Sequence, residues 1–456
     1  MWKPKYIDTD ITLYIAIADA IERDIKENIL VPGEKMPTQR AIAEIIGVNL
    51  TTITRAYNLA RKRNLLTAVI GKGTFVADQS RELLPESFSK DEVIDLGLVG
   101  SVKIDEKKIK KIMENIISDN KIDMLLDYVP SRGLLSHREA GAKWVQQHGV
   151  DAKASDIIIC SGAMHAINCT LRGLLDTEDR IAVDSQTFTG FINASRLNHM
   201  RLEAIEMDGE GMKPEALEVM CQKHKMKGLY LMPNLQNPTS TRMSHERKKA
   251  IAEIIKKYDL LLIEDDIYNL FDDEHRKPLA YYVPEHTIYI CGISKTLYPG
   301  LRIAYAKVPE KHQQKFIQTV TSTVWMAPPI SAEIATQLIN SGLAFEIVEK
   351  KRKIINKRLS IVRNILEDYE IIAAENSQFA WLRLPKAFSA ITFENTALLN
   401  SVKVISAEKF NVGQTLIPNA VRLSVANVTT DEELIKGLKI IVKILENPSM
   451  TMSSIM

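Results

Sequence analysis

Ser294-Lys295-Thr296-Leu297-Tyr298-Pro299-Gly300-Leu301-Arg302 places a lysine directly behind an apolar run and an arginine seven residues further on. A lysine amine can form a Schiff base with an aldehyde, and a nearby guanidinium can fork onto a phosphate. Pyridoxal phosphate needs both. By itself the run also reads as a solvated loop, and the residues upstream decide between the two readings. Leu260–Ile263 reads as a buried strand that ends in Glu264, Asp265, Asp266, Ile267 and Tyr268. A carboxylate at the mouth of a parallel sheet can pair with a protonated pyridine nitrogen, and a tyrosine three residues on can reach the ring hydroxyl. Asp266 competes for the first role, but only Asp265 keeps the three-residue step to Tyr268.

Working outward, apolar strands alternate with helical stretches: Ile157 to Cys160, a helix to Leu174, Ile181 to Val183, Leu202 to Glu206, Gly228 to Met232, Leu260 to Ile263 and Ile288 to Cys291. The alternation predicts a mostly parallel α/β sheet with helices on both faces, whose ligands sit at the carboxyl ends of the strands. Phe345 to Tyr369 reads as a long charged helix and Ile371 to Leu423 as a smaller C-terminal α+β subdomain. After Ile157–Cys160 comes Ser161-Gly162-Ala163-Met164-His165, a small-residue turn whose amides at Ala163 and Met164 open a helix and suit a phosphate.

The N-terminal part has a different character. Leu13, Ile17, Ala20, Ile21 and Ile25 recur at helical spacing. Pro32 and Gly33 break the chain, Thr38 is placed to cap a second helix to about Ile46, and Gly47-Val48-Asn49 turns into a third helix, Thr51 to Arg63. Two helices joined through a glycine-containing turn form a helix-turn-helix. Leu65 to Val76, with Gly71-Lys72-Gly73 at its centre, reads as a two-stranded wing. Asp78 to Glu92, acidic and without a strong period, reads as a linker. The expected domains are therefore 1–77, a linker 78–92, and 93–456.

On these residues the chain from roughly Val93 to about Asn447 resembles the fold type I, class I aminotransferases. Ile11 to Ala77 resembles the GntR type of α+β winged helix, and the fusion in this order resembles the MocR subfamily of bacterial transcriptional regulators. The resemblance implies that Lys295 carries the cofactor and that Phe188 stacks on its ring. Asn237, in Pro233-Asn234-Leu235-Gln236-Asn237-Pro238-Thr239, and Tyr268 would share the ring oxygen, Asp265 would hold the ring nitrogen, and Ser294 and Arg302 would join the phosphate contacts. Arg422 aligns with the arginine that takes a substrate α-carboxylate, and Tyr128 with a tyrosine that reaches the phosphate of the neighbouring subunit. Arg40, Asn49, Thr51 and Thr52 match DNA-touching positions, and Thr54, Arg55 and Lys72 suit DNA phosphates. Three positions depart from the patterns: Gly292 for a Ser or Thr, Ser240 for a glycine, and Leu50 for a frequent arginine.

Composition is compatible with this reading. The 456 residues are 45% hydrophobic with a formal net charge of +2, too near zero for the whole chain to be a polyanion binder. Met1 to Ala77 nevertheless carries more Lys and Arg than Asp and Glu. Cys160, Cys169, Cys221 and Cys291 lack metal-ligand spacing and read as buried free thiols in a reducing compartment, and no metal is expected. No apolar run reaches the ~18 residues of a membrane span, so a cytoplasmic protein without membrane contact is expected. Together the expectation is a pyridoxal phosphate-dependent regulator, a homodimer with swapped domains, that binds an operator in double-stranded DNA. It would sense a small amine or amino acid by transaldimination at Lys295. A working aminotransferase with a DNA-binding module is the alternative.

Overall fold

In the computed structural model of the protein, which describes residues 2–4, 6, 12–27, 29–30, 34–62, 65–69, 73–76, 93–104, 107–119, 122–272, 274, 276–413 and 415–447, the chain divides into two units, Met1–Asp91 and Glu92–Met456.

The first unit is built on three helices, α1 (Leu13–Lys26), α2 (Gln39–Ile46) and α3 (Leu50–Lys62). Ile17 and Ile21 from α1, Ile42 from α2, and Ile53, Ala56 and Tyr57 from α3 meet in one apolar core. The Tyr57 hydroxyl is satisfied there by Pro37 O at 2.9 Å. Thr38 caps α2 by accepting from the Ala41 amide at 3.2 Å. Gly47 ends the helix at φ 68°, a left-handed conformation that costs glycine nothing. Strands β1 (Leu66–Val69) and β2 (Gly73–Val76) pair antiparallel as the wing, with Leu66 opposite Val76. The segment around Lys35 adds to its edge through Met36 N to Thr74 O and Val76 N to Glu34 O, both 2.8 Å. Lys72 and the expected linker Asp78 to Glu92 lie outside the described residues.

The second unit is organised by a seven-stranded sheet in the order Ile157–Cys160, Ala304–Lys307, Thr287–Gly292, Leu261–Asp265, Met226–Leu231, Arg180–Asp184, Arg201–Ile205. Six strands run parallel; Ala304–Lys307 is antiparallel to both neighbours. Helices cover both faces, so the central strands are apolar on both sides and Ile157, Ile158, Ile181, Leu262, Ile263, Ile288 and Ile290 are all fully buried. Each such side chain contributes about 1.5–3 kcal/mol relative to exposure. The parallel strands that frame the site end at Cys160, Asp184, Leu231, Asp265 and Gly292.

A four-stranded antiparallel sheet, Ile371–Ile372, Phe379–Arg383, Ala420–Ser424 and Ile405–Ser406, forms the smaller subdomain. It is joined to the large sheet by the 23-residue helix Leu343–Ile365. Arg358 of that helix is buried and donates to Asp431 Oδ1 at 3.0 Å and to the carbonyls of Val425, Val428 and Thr429 at 2.9, 3.1 and 3.2 Å. One guanidinium thus fixes the long helix to the loop before the helix Asp431–Glu446. The architecture is an α+β winged helix-turn-helix followed by a fold type I α/β domain with its small α+β subdomain.

Candidate cofactor site and nucleic-acid face

Lys295 stands three residues beyond the end of Thr287–Gly292, at the mouth of the sheet, and is half-buried. Its Nζ donates to Val99 O. Burial, then the guanidinium charges of Arg422 and Arg302, push its pKa down to about 8, with Asp265 opposing. Arg422, Arg302 and Asp265 therefore all act on this amine, although they come from three distant parts of the chain.

Asp265 is the last residue of its strand and is buried. Its Oδ2 accepts from the Tyr230 hydroxyl at 3.0 Å, and its Oδ1 is buried with no hydrogen-bond partner. Burial pushes its pKa up to about 7, against the pull of the Tyr230 hydrogen bond. Asp266 faces a different network: its Oδ2 accepts from Asn234 Nδ2 and from the Tyr289 hydroxyl, both at 2.7 Å. Asp265 thus keeps a buried oxygen for an outside donor, while Asp266 is tied into a separate network with Asn234 and Tyr289.

Arg422, in the middle of Ala420–Ser424, is also buried. It donates through Nη1 to Asn237 Oδ1 and through Nη2 to Gly97 O, each at 2.6 Å. Its Nε has no partner. Burial lowers its pKa to about 10, so it stays charged at neutral pH. The rings of Phe410 and Phe379 flank it at 4.8 and 5.8 Å. Tyr268 is buried edge-on to Phe379 at 5.6 Å, and burial raises its pKa while Arg422 pulls the other way. With its oxygen bound to Arg422, the Asn237 side chain keeps its amide nitrogen as a donor.

The turn after Ile157–Cys160 meets the loop after Lys295. Ala163 and Met164 begin the helix Ala163–Leu174, where first-turn amides have no intrahelical acceptor. Arg302 Nη1 donates to Ser294 Oγ at 3.2 Å, and a Cβ built on Gly162 would lie 2.4 Å from Arg302 Nη2. Gly162, at φ 90°, thus keeps the turn open for the guanidinium. Phe188 caps the next helix, Thr189–Leu197, and packs among the apolar residues that include Met164. Gly292 is closely packed, since a Cβ there would sit 3.3 Å from Ile267 Cγ2 and 3.4 Å from Ala163 Cβ. Ser240 takes φ 63°, the left-handed region that a glycine serves, and its Oγ accepts from the Ala374 amide at 3.0 Å.

These groups fit pyridoxal phosphate. An unpartnered buried carboxylate oxygen suits a protonated ring nitrogen, and a glycine turn at a helix start beside Ser294 and Arg302 suits a phosphate. Gly162→Ala should cost about 1–2 kcal/mol of stability from backbone strain. It should also push Arg302 aside and weaken cofactor binding, read by fluorescence titration of the apoprotein. Unchanged affinity would remove Arg302 from the phosphate role.

Tyr128 does not join this constellation within one chain. It is 77% exposed, with its ring 5.9 Å from that of Trp325. Sequence reasoning passed over two participants, the Gly97–Ser101 segment and Tyr230. The signal for Tyr230 was a phenol inside the aliphatic strand Met226–Leu231, where a buried hydroxyl must find a partner.

In the first unit Arg40, Asn49 and Thr51 are exposed and Thr52 is half-buried, at the starts of α2 and α3 and the turn between them, and Arg55 is exposed in the middle of α3. Asn49 Oδ1 accepts from both the amide and the hydroxyl of Thr51 at 3.1 Å, so these two serve as the cap of α3. Thr54 donates to Gln39 Oε1 at 2.8 Å and links α3 to α2. Leu50 is 39% exposed at the head of α3, where an apolar contact replaces a cationic one.

Residues 91–439 match the family model described as aminotransferase class I and II, and residues 13–76 match bacterial regulatory proteins, gntR family. Over 448 residues the chain is 32% identical to YdeF, an uncharacterized HTH-type transcriptional regulator of Bacillus subtilis (strain 168), covering 98% of this chain and 97% of that one. A 2-aminoadipate transaminase of Thermus thermophilus is 26% identical over 69% of this chain and 79% of its own. Among solved structures, Pyrococcus horikoshii kynurenine aminotransferase superposes with a TM-score of 0.74 at 24% identity, over 81% of this chain and 95% of its own, a likeness of fold. Among the described residues no helix is long and apolar enough to cross a membrane.

Proposed function

From the premise that the chain belongs to the class I and II aminotransferase family and opens with a gntR-type domain, we propose that this transcription regulator senses an α-amino acid at Lys295 and Arg422. Its architecture is MocR-like, its first unit is a DNA-binding domain, and pyridoxal 5′-phosphate is the cofactor of its second. The observation that carries the sensing role is the pairing of a depressed lysine with a buried guanidinium. Arg422 lowers the pKa of Lys295, and its Nε is unpartnered. An amine reader and a carboxylate reader side by side define an α-amino acid, or a short homologue of one.

When bound, pyridoxal phosphate supplies an aldehyde carbon with which the Lys295 amine and an effector amine can each condense, so exchange between them is the proposed signal. Asp265 would hold the ring nitrogen; Asn237 and Tyr268 would hold the ring oxygen. Ala163, Met164, Ser294 and Arg302 would hold the phosphate, with Phe188 against the ring. Beyond the bonds to Gly97 O and Asn237 Oδ1, Arg422 keeps its Nε–H and a second N–H on each Nη, so it can fork a carboxylate while it holds both. Gly97 belongs to the first residues after the chain that leads from the DNA-binding unit. The effector is thereby read on the segment through which that unit is attached, and the two ligands become coupled by differential contacts.

A homodimer, with domains exchanged between protomers, is part of this proposal. Leu126, Tyr128, Val324 and Trp325 are all exposed, and the two segments adjoin through Val129 N to Met326 Sδ at 3.2 Å and the Tyr128–Trp325 ring pair. Such an apolar patch supports a subunit contact through which Tyr128 would reach a neighbour's phosphate. A DNA-reading role also places the protein in the cytoplasm.

Arg422→Ala should weaken the spectral response to α-amino acids by roughly 2–4 kcal/mol while leaving the cofactor bound, since Asn237 and Gly97 lose a donor but Lys295, Asp265 and the phosphate contacts remain. Identical amino-acid titration curves for the wild type and the variant would remove the carboxylate role. The function itself is tested by footprinting the promoter beside the gene with and without cofactor and amino acid, alongside an assay for keto-acid formation. Rapid multiple turnover with no protected DNA in any ligand state would replace this reading with that of an aminotransferase.

A further inference from the structure

Tyr230 is the one aromatic residue in the strand Met226–Leu231, and it is fully buried. A phenylalanine would fill the same volume and keep the same stack on Phe191, whose ring lies 3.7 Å away at 10°. The hydroxyl therefore adds only polarity to an apolar layer, which burial opposes unless the group has a partner of consequence. That partner is Asp265 Oδ2 at 3.0 Å. The other oxygen of the same carboxylate, Oδ1, is buried and unpartnered. Two halves of one carboxylate are thus treated differently: the protein binds one and keeps the other free.

We propose that Tyr230 is a positioning residue for the cofactor, its hydroxyl fixing Asp265 so that Oδ1 alone is offered to the ring nitrogen. The inference rests on the site reading above. The Phe191 stack sets the phenol, the phenol sets the carboxylate, and the carboxylate meets the ligand. Four other groups face this pair. Asp184, on the adjacent strand, and Tyr268 act on Tyr230, Asp266 raises the pKa of Asp265, and Lys295 lowers it. Burial keeps the Tyr230 phenol protonated, and so a donor, at all ordinary pH.

Tyr230→Phe separates a positioning role from a packing one. The apoprotein should melt somewhat lower above about pH 7, where the ionised Asp265 has lost its one hydrogen bond, and level with the wild type at acid pH, where the carboxyl is protonated and the kept stack preserves the packing. Pyridoxal phosphate should bind about tenfold more weakly, the worth of one hydrogen bond to a charged group. Asp265, pushed up to about 7 with its phenol donor, should titrate higher without it. Binding needs the carboxylate ionised, so affinity falls as pH falls through that value, and the variant's decline should begin at higher pH than the wild type's. An analogue with CH in place of the ring nitrogen should bind both proteins equally, because it offers Asp265 no proton. Equal affinities for pyridoxal phosphate, or an equal loss with both ligands, would overturn the inference. A wild-type protein that binds neither ligand would overturn the site reading and this inference with it.

Discussion

Lys295→Ala protein should purify without the visible absorption of the wild type and should yield no borohydride-stable adduct on the peptide containing position 295. An ordinary lysine near 10.4 is almost wholly protonated at neutral pH and a poor nucleophile. Burial and two guanidinium charges bring Lys295 to about 8. A shift of that size raises its free-amine fraction at pH 7 by a few hundredfold, on the order of ten for each unit. No methyl group replaces that function. Folding should not suffer. A lysine whose folded pKa lies below its unfolded value opposes folding fully below the folded value, and the penalty fades as pH rises from the folded value to the unfolded one. Removing the amine removes the penalty, so the apoprotein should melt at or above the wild-type temperature below about pH 8, as scanning calorimetry would report. Cofactor should still associate without a covalent bond, through Asp265, Ser294 and Arg302. An adduct that survives on another lysine would show that the cofactor lies elsewhere. Lys351 is the one to inspect first, being buried, lowered to about 7 by desolvation, and bonded to Ser101 Oγ at 2.8 Å beside the Lys295 loop.

The contrast between Lys295 and Lys351 illustrates what sequence carries and what it withholds. Lys295 is legible because it ends an apolar strand and begins a Pro-Gly loop. Lys351 sits in a helix of alternating charge and reads as a solvated residue. Its burial follows from the crossing of that helix over the loop, which is a long-range property. The parallel strands were legible for a similar local reason: strands buried on both faces are continuous aliphatic runs. The reversed strand Ala304–Lys307 was not, because four residues with one alanine at each odd position look like the tail of the preceding loop. The preference for Asp265 over Asp266 came from a three-residue step; that Asp265 also keeps a buried oxygen without a partner needed coordinates. Ser240 was legible only as a departure from a glycine; its positive φ and the bond its Oγ accepts from the Ala374 amide, far off in sequence, needed coordinates. Capping at Asn49 was likewise visible as residue type and invisible as commitment, since the same side chain suits a base edge.

That commitment ranks the DNA contacts and gives the second large effect. Asn49 and Thr51 are bonded to each other as the cap of α3, and Thr54 is bonded to Gln39. Arg40, Thr52 and Arg55 remain on the presented surface, with Arg40 and Arg55 exposed and Thr52 half-buried. Helix N-termini of a helix-turn-helix enter the major groove while flanking cations meet the backbone. Arg40→Ala with Thr52→Ala should therefore lower affinity for the specific operator by about 100-fold or more, at roughly 1–3 kcal/mol for each lost contact. Loss of a phosphate contact at Arg40 should also reduce the dependence of log K on log salt by about 1. Arg55→Ala alone should reduce that slope similarly and weaken all sequences alike, since phosphates carry no sequence information. The cofactor spectrum and its amino-acid titration should be unchanged in every variant, because each substitution lies in Met1–Asp91 and the cofactor residues lie in Glu92–Met456. Gel-shift titrations at several salt concentrations, with specific and scrambled duplexes, measure all of these quantities. Equal operator affinity for the double variant and the wild type would take α2 and α3 out of the major groove and leave the wing as the reading element.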